Sequence, residues 1–341
     1  MISAKRHTGA GQGSKRRSII PVLFILLLIL PALFLSSCGK EPSGTGGKPG
    51  VLVVATLFPL YDFAREIGGD KVKVVLLLPP GMEPHSFEPR PADLQLLHRA
   101  NIFLLSHPAM EPWATELLKG ITNPDLFVVD TSQGVKLLTP SGGHLHREEH
   151  KTTPGSNPAE DIPAGQTDPH FWLDLDNAAI MVDRIALALA EKEPALASFF
   201  RENAEKYKMR LVELDGKYKS LLKDCVKRLI VSGGHAAFGY PARRYNLDYV
   251  SAYHFSPNAE PKPRDLAKII KLIKKHGLRY IFHEELIQPR IAAALAAETG
   301  ATLLMLHGAH NITRDEYERG VSFIAIMESN LLNLKKGLSC P

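Results

Sequence analysis

Only three of the 341 residues are cysteine and only two are tryptophan, and no acidic residue precedes Cys38. The Gly-x-Ser-x-Gly elbow of α/β-hydrolases and the glycine-rich P-loop of nucleotide enzymes are both absent. The segment His283-Glu284-Glu285-Leu286-Ile287 starts like a zinc-protease helix, but Ile287 stands where the second histidine is required. A secreted zinc hydrolase therefore lacks its signature, and a non-enzyme is expected. No short-period repeat runs through the chain. The formal net charge is +5, and the five basic residues Lys5, Arg6, Lys15, Arg16 and Arg17 account for all of it. The rest of the chain is neutral on balance, which removes the electrostatic case for binding nucleic acid.

The front end sets the compartment. The basic residues are followed by an apolar run, Ile19 to Leu35, and then by Leu35-Ser36-Ser37-Cys38. Charge, apolar segment and small-residue cut site is the order of a secretory signal, and a cysteine just after the cut resembles the bacterial lipobox. The run is close to the ~20 residues that span a bilayer, so an uncleaved anchor is the alternative; the small residues before Cys38 favour cleavage. The expectation is a signal peptide over 1–37, lipid on Cys38, a Gly/Pro/Ser-rich tether over 38–50, and an extracytoplasmic, membrane-anchored protein. Cys225 and Cys340 could pair in an oxidising compartment, or remain two thiols; sequence does not supply their separation.

The ~300 residues beyond the cut exceed what one core usually serves, so two domains are expected. From Val51 short apolar runs alternate with helical stretches. Val51–Thr56, Val72–Leu78, Ile102–Leu105 and Leu126–Val129 read as buried strands, with helices between them, the pattern of a parallel sheet covered on both faces. A polar stretch over 139–168, carrying His144, His146 and His150, interrupts this. Apolar residues at helical spacing then predict one long helix from about Pro194 to Lys223, after which strands and helices resume. A last helix is expected from Arg314 to Lys336, opened by a Thr313/Glu316 capping box. The fold expected is α/β: two βα lobes with parallel sheets, 51–193 and 226–341, joined by a single long helix within 194–225.

Fourteen histidines suggest a metal, though number alone is weak. His7 belongs to the signal, and His98 and His276 sit beside basic residues on solvated faces. His107, His254 and His283 stay open. His85, His170, His235 and His307 each come after a strand or a loop that re-enters the fold, where open α/β sheets place ligands, and His310 lies three residues after His307. Four neutral imidazoles suit Zn²⁺ better than Mn²⁺, Mg²⁺ or Ca²⁺.

The motifs Glu83-Pro84-His85-Ser86-Phe87-Glu88-Pro89, Asp168-Pro169-His170-Phe171-Trp172-Leu173-Asp174 and His235-Ala236-Ala237-Phe238-Gly239-Tyr240 resemble the zinc/manganese solute-binding lipoproteins of ABC importers (ZnuA/TroA type). The similarity continues through Arg243-Arg244-Tyr245-Asn246-Leu247, Glu298-Thr299-Gly300-Ala301 and the closing helical region. It implies two lobes on a rigid helix with metal in the cleft, His85, His170 and His235 as ligands, a membrane permease as partner, and a monomer. The loop containing His144, His146 and His150 would be an auxiliary zinc-gathering cluster. Where the family often has an aspartate, this chain reads Leu306-His307-Gly308-Ala309-His310. His307 is the expected fourth ligand, with His310 or water as alternatives. Losing the carboxylate disfavours Mn²⁺ further and leaves Ni²⁺ and Cu²⁺ in competition with zinc. Glu284, at a strand end, is expected to orient a ligand histidine. A metal-dependent surface adhesin would carry the same motifs.

Overall fold

The computed structural model describes residues 50–138, 167–253, 261–286 and 288–341. The signal, Cys38, the tether, His144, His146, His150 and His254 lie outside them. No helix among the described residues is long and apolar enough to cross a membrane.

Two four-stranded sheets carry the fold, and every strand pairing is parallel. The first runs β2-β1-β3-β4 and contains β1 (Val51–Ala55), β2 (Val72–Leu76), β3 (Ile102–Leu105) and β4 (Phe127–Asp130). The second runs β6-β5-β7-β8, from β5 (Leu229–Ser232), β6 (Asp248–Ser251), β7 (Tyr280–His283) and β8 (Thr302–Met305). Parallel strands need crossovers, and helices supply them. In the first lobe these are α1 (Phe58–Gly68), α2 (Pro91–Leu97) and α3 (Pro112–Lys119). α4 (Leu175–Lys192) and α5 (Ala197–Leu222) come next. The second lobe adds α6 (Gly239–Arg244), α7 (Pro263–His276), α8 (Arg290–Thr299), α9 (Arg314–Glu318) and α10 (Phe323–Gly337).

Continuous apolar strands are buried on both faces, and β5 shows how. Leu229 and Val231 point into a small core with Ile269 and Ile273 of α7 and Ala292 and Leu295 of α8. Ile230 points the other way, into a core shared with Phe282, Leu304 and the α10 residues Phe323, Met327 and Leu331. That larger core continues without interruption through α5 and α4 into the first lobe.

The predicted long helix is present as α5, of 26 residues, or ~39 Å. A 3₁₀ turn at Pro194–Leu196 precedes it. Phe200, Ala204, Tyr207, Leu211, Leu214, Tyr218 and Leu222 form its buried stripe. Near its start Asn203 Nδ2 donates to the Ile67 carbonyl (3.0 Å) and the Tyr207 hydroxyl to Asp62 Oδ2 (3.3 Å). Near its end the Tyr218 hydroxyl donates to the Met327 carbonyl (2.5 Å). A Cys225–Cys340 disulfide then ties the residues after α5 to the C-terminus, closing 115 residues and contributing about 2–4 kcal/mol.

The single last helix expected over 314–336 is two. Gly320 adopts a left-handed conformation (φ 67°), which stops α9. Ser322 then accepts the Ala325 N–H (3.2 Å) and starts α10 afresh. The residues after His235 form a turn closed by the Ala237 N–H on the His235 carbonyl, and α6 begins only at Gly239.

Behind the C-terminal ends of β1 and β3, Glu111 is buried beside Thr56 and accepts the Ser106 N–H. Burial pushes its carboxyl up from 4.5 to about 8, against hydrogen bonds from Thr56 and Ser106. A carboxyl that binds its proton more tightly when folded stabilises below its unfolded pKa and loses that contribution as pH rises through the folded one. Stability is therefore expected to fall between pH 4.5 and 8. Glu111→Gln should flatten that slope, as read from urea midpoints across the range; an unchanged slope would place the cause elsewhere.

Candidate metal centre

The loop after β2 carries His85 and is held on several sides. Gly81, in the left-handed region (φ 86°), donates its N–H to the Ile312 carbonyl (2.7 Å). Asn311 Nδ2 donates to the carbonyls of Pro79 and Met82 (both 2.8 Å). The Glu83 carboxylate accepts the N–H groups of His85 and Ser86 (both 3.0 Å). Trp113 Nε1 donates to the Pro84 carbonyl (2.8 Å), and its ring meets Phe87 edge-on.

His170 and His235 are fully buried. Asp168 Oδ1 accepts both the His170 backbone N–H (3.0 Å) and its ring Nδ1 (2.9 Å). His235 comes directly after Gly233-Gly234, and a Cβ on Gly234 would lie 1.8 Å from Glu284 Oε1. Only glycine lets Glu284 reach over that turn, where it accepts the His235 N–H (2.7 Å) and pairs with ring Nδ1.

One ring nitrogen from each of His85, His170 and His235 falls within 4.8 Å of the others. Nε2 of His170 faces Nε2 of His235 at 2.9 Å. When each Nδ1 carries its proton toward its carboxylate, each Nε2 is left as a donor atom for a metal ion. Nε2 of His85 is buried with no hydrogen-bond partner among the described residues. Burial pushes His85 down to about 4 and His170 well below the ordinary range, so both are neutral at neutral pH, the form that ligates metal. Burial also opposes charge on His235, but Glu284 outweighs it and raises that residue.

Beyond β8, His307 and His310 stand in different surroundings. His307 Nδ1 accepts the Ala309 N–H (2.9 Å) and lies 3.2 Å from Glu285 Oε1; its Nε2 lies 3.6 Å from Glu316 Oε2, beyond hydrogen-bond distance. Those carboxylates hold its pKa up although burial works against it. The His310 ring stands 5.7 Å from that of His235 and 6.3 Å from that of His170, and burial pushes it well down. Glu285 supports this loop by accepting the Gly308 N–H (2.9 Å), with Oε1 3.9 Å from His310 Nδ1. Trp172 Nε1 donates to the Gly308 carbonyl (2.9 Å). His98 and His276 are exposed, while His107 and His283 are half-buried and bonded to their own loops.

The family described as zinc-uptake complex component A, periplasmic, matches residues 53–337. The chain belongs to that family. It is a family of zinc-uptake proteins and not of enzymes. The high-affinity zinc uptake system protein ZnuA of Bacillus subtilis is 31% identical over 317 residues, covering 92% of this chain and 97% of that protein. Zinc-binding protein AdcA of Streptococcus pyogenes serotype M3 is 32% identical over 286 residues, covering 84% of this chain. The chain spans only 55% of that relative's length. The crystal structure of the Zn(II)-bound ZnuA-like domain of Streptococcus pneumoniae AdcA matches with a TM-score of 0.69 and 29% identity, over 85% of this chain and 99% of that one. The resemblance read from the motifs holds, as does the fold of two parallel α/β lobes and a long helix.

Sequence pattern alone does not single out Glu285 or Trp113. The signals available for them are weak: Glu285 is one of two adjacent carboxylates after β7, and Trp113 one of only two tryptophans. Because the Glu284 carboxylate holds both the ring and the backbone of His235, Glu284→Gln is expected to weaken zinc binding roughly 10–100-fold. Competition with a chromophoric chelator measures this, and wild-type affinity would remove Glu284 from the site.

Proposed function

We propose that this chain captures zinc outside the cytoplasm with His85, His170, His235 and His310 and hands it to the membrane permease of an ABC-type importer. The observation that carries the reading is the convergence of three buried or half-buried imidazoles, two of them backed by carboxylates on Nδ1. That is the arrangement by which proteins fix the tautomer and raise the basicity of zinc ligands. His310 is preferred to His307 as the fourth donor because its ring adjoins those of His170 and His235, whereas His307 Nδ1 is engaged by the Ala309 N–H and its Nε2 faces the Glu316 carboxylate. Four neutral nitrogens place Zn²⁺ ahead of Mn²⁺, with Ni²⁺ and Cu²⁺ the nearest competitors.

In this reading residues 51–193 and 226–341 are the two lobes and 194–225 the connection. Lipid on Cys38 keeps the monomer at the membrane, beside the permease. His144, His146 and His150 form an auxiliary cluster that gathers zinc. The test is competitive titration of the chain lacking residues 1–37 with Zn²⁺, Mn²⁺, Ni²⁺ and Cu²⁺. One tightly held zinc per chain, displaced poorly by manganese, is the expected result. Preference for manganese, or no tight site, would refute it.

A further inference from the structure

α6 (Gly239–Arg244) belongs to the second lobe and lies close behind His235 in the chain, yet its side chains hold the first lobe. Leu138 and Asp168 approach as an isolated antiparallel bridge, with the Asp168 N–H on the Leu138 carbonyl (2.9 Å). The reciprocal bond is not direct. The fully buried Tyr240 hydroxyl fills its place, accepting the Leu138 N–H (2.9 Å) and donating to the Asp168 carbonyl (2.8 Å). At the other end of α6, Arg244 donates to Asp174 Oδ1 (2.9 Å), Asp176 Oδ1 (2.8 Å) and Asp215 Oδ1 (2.7 Å). Asp174 caps α4 by accepting the Asp176 N–H (2.9 Å), and Asp215 lies on α5.

The segment from Asp168 to Asp174 contains His170, and the two ends of α6 grip it on either side. The same short helix is continuous with the turn that carries His235. We infer that Tyr240 and Arg244 are positioning residues of the metal site, locking the His170 segment of one lobe against the His235 turn of the other. His170 and His235 are thereby a preformed half-site whose 2.9 Å Nε2 separation is imposed by groups that touch neither imidazole. The inference rests on the ligand set proposed above. Its physical basis is that buried polar pairs with no alternative partner hold one geometry, and that ligands held in place before loading release metal more slowly.

The test compares Tyr240→Phe with Tyr218→Phe. Each removes one buried phenol hydroxyl from a backbone carbonyl, but the Tyr218 bond runs to Met327 of α10 and involves neither the His170 segment nor the His235 turn. Both variants are expected to lower Tm. Only Tyr240→Phe should weaken zinc, roughly 10–100-fold as for loss of an outer support, through faster release, and alter the visible absorption of the Co²⁺-loaded protein. Arg244→Lys, which keeps the charge but cannot span three carboxylates, is the second variant and should behave likewise even if Tyr240→Phe does not fold. Wild-type zinc affinity and cobalt spectra in both variants would overturn the inference, as would equal weakening by Tyr218→Phe. His170→Ala run in parallel separates the two readings: if it too binds zinc normally, the ligand set is wrong rather than the strap.

Discussion

Replacing His170 with alanine is expected to cost about 10²–10³-fold in zinc affinity while leaving the chain folded. Zinc held by a complete protein site is worth about 10–16 kcal/mol, so one of four donors carries about 2.5–4 kcal/mol. His170 should sit at the upper end. It is fully buried, its Nδ1 is hydrogen-bonded to Asp168 and its Nε2 faces His235 directly, so its removal takes away both a donor atom and the ring partner of the buried Asp168 carboxyl. The fold survives because the surrounding apolar packing, Phe171, Trp172 and Leu173 among it, is unchanged. Isothermal or chelator titration reads the affinity, and circular dichroism reads the fold. A folded His170→Ala protein with wild-type affinity would take His170 out of the site.

The second large effect separates two neighbours. His310→Ala is expected to lose about 10²-fold or more in zinc affinity, and His307→Ala much less. His307 supports the loop through Ala309, Asn330 and Glu285, so its loss acts on stability first: the buried Ala309 N–H would lose its acceptor, which costs about 1–3 kcal/mol. The two variants should thus show opposite profiles, with low affinity and near-normal Tm for His310→Ala, and low Tm with milder loss of affinity for His307→Ala. The reverse pattern would restore His307 as the ligand.

This pair also marks where the sequence stops being informative. His85, His170 and His235 are legible because each comes after a strand or re-entry point and lies in a motif of its own. His307 and His310 come after the same strand, and local pattern does not choose between them. Under the proposed ligand set the choice rests on distant groups: Trp172 on the Gly308 carbonyl, Glu285 on its N–H, and a left-handed backbone at Ala309 (φ 55°) that costs roughly 1–2 kcal/mol in a non-glycine residue. The same limit applies to Tyr240 and Arg244, whose partners stand 72 and 70 residues away. The strands and α5 are readable because apolar runs and helical stripes are local signals. The break between α9 and α10 is written locally too, as Gly320 and then Ser322, but the apolar periodicity on either side conceals it.

The most direct test of the central claim is the zinc K-edge absorption fine structure of the loaded protein. The account predicts a single shell of four nitrogen donors at about 2.0–2.1 Å, with the outer multiple-scattering pattern of imidazole rings and a loss of one ring's contribution in His310→Ala. A sulfur shell near 2.3 Å, or an oxygen-dominated shell with fewer than three imidazoles, would contradict it.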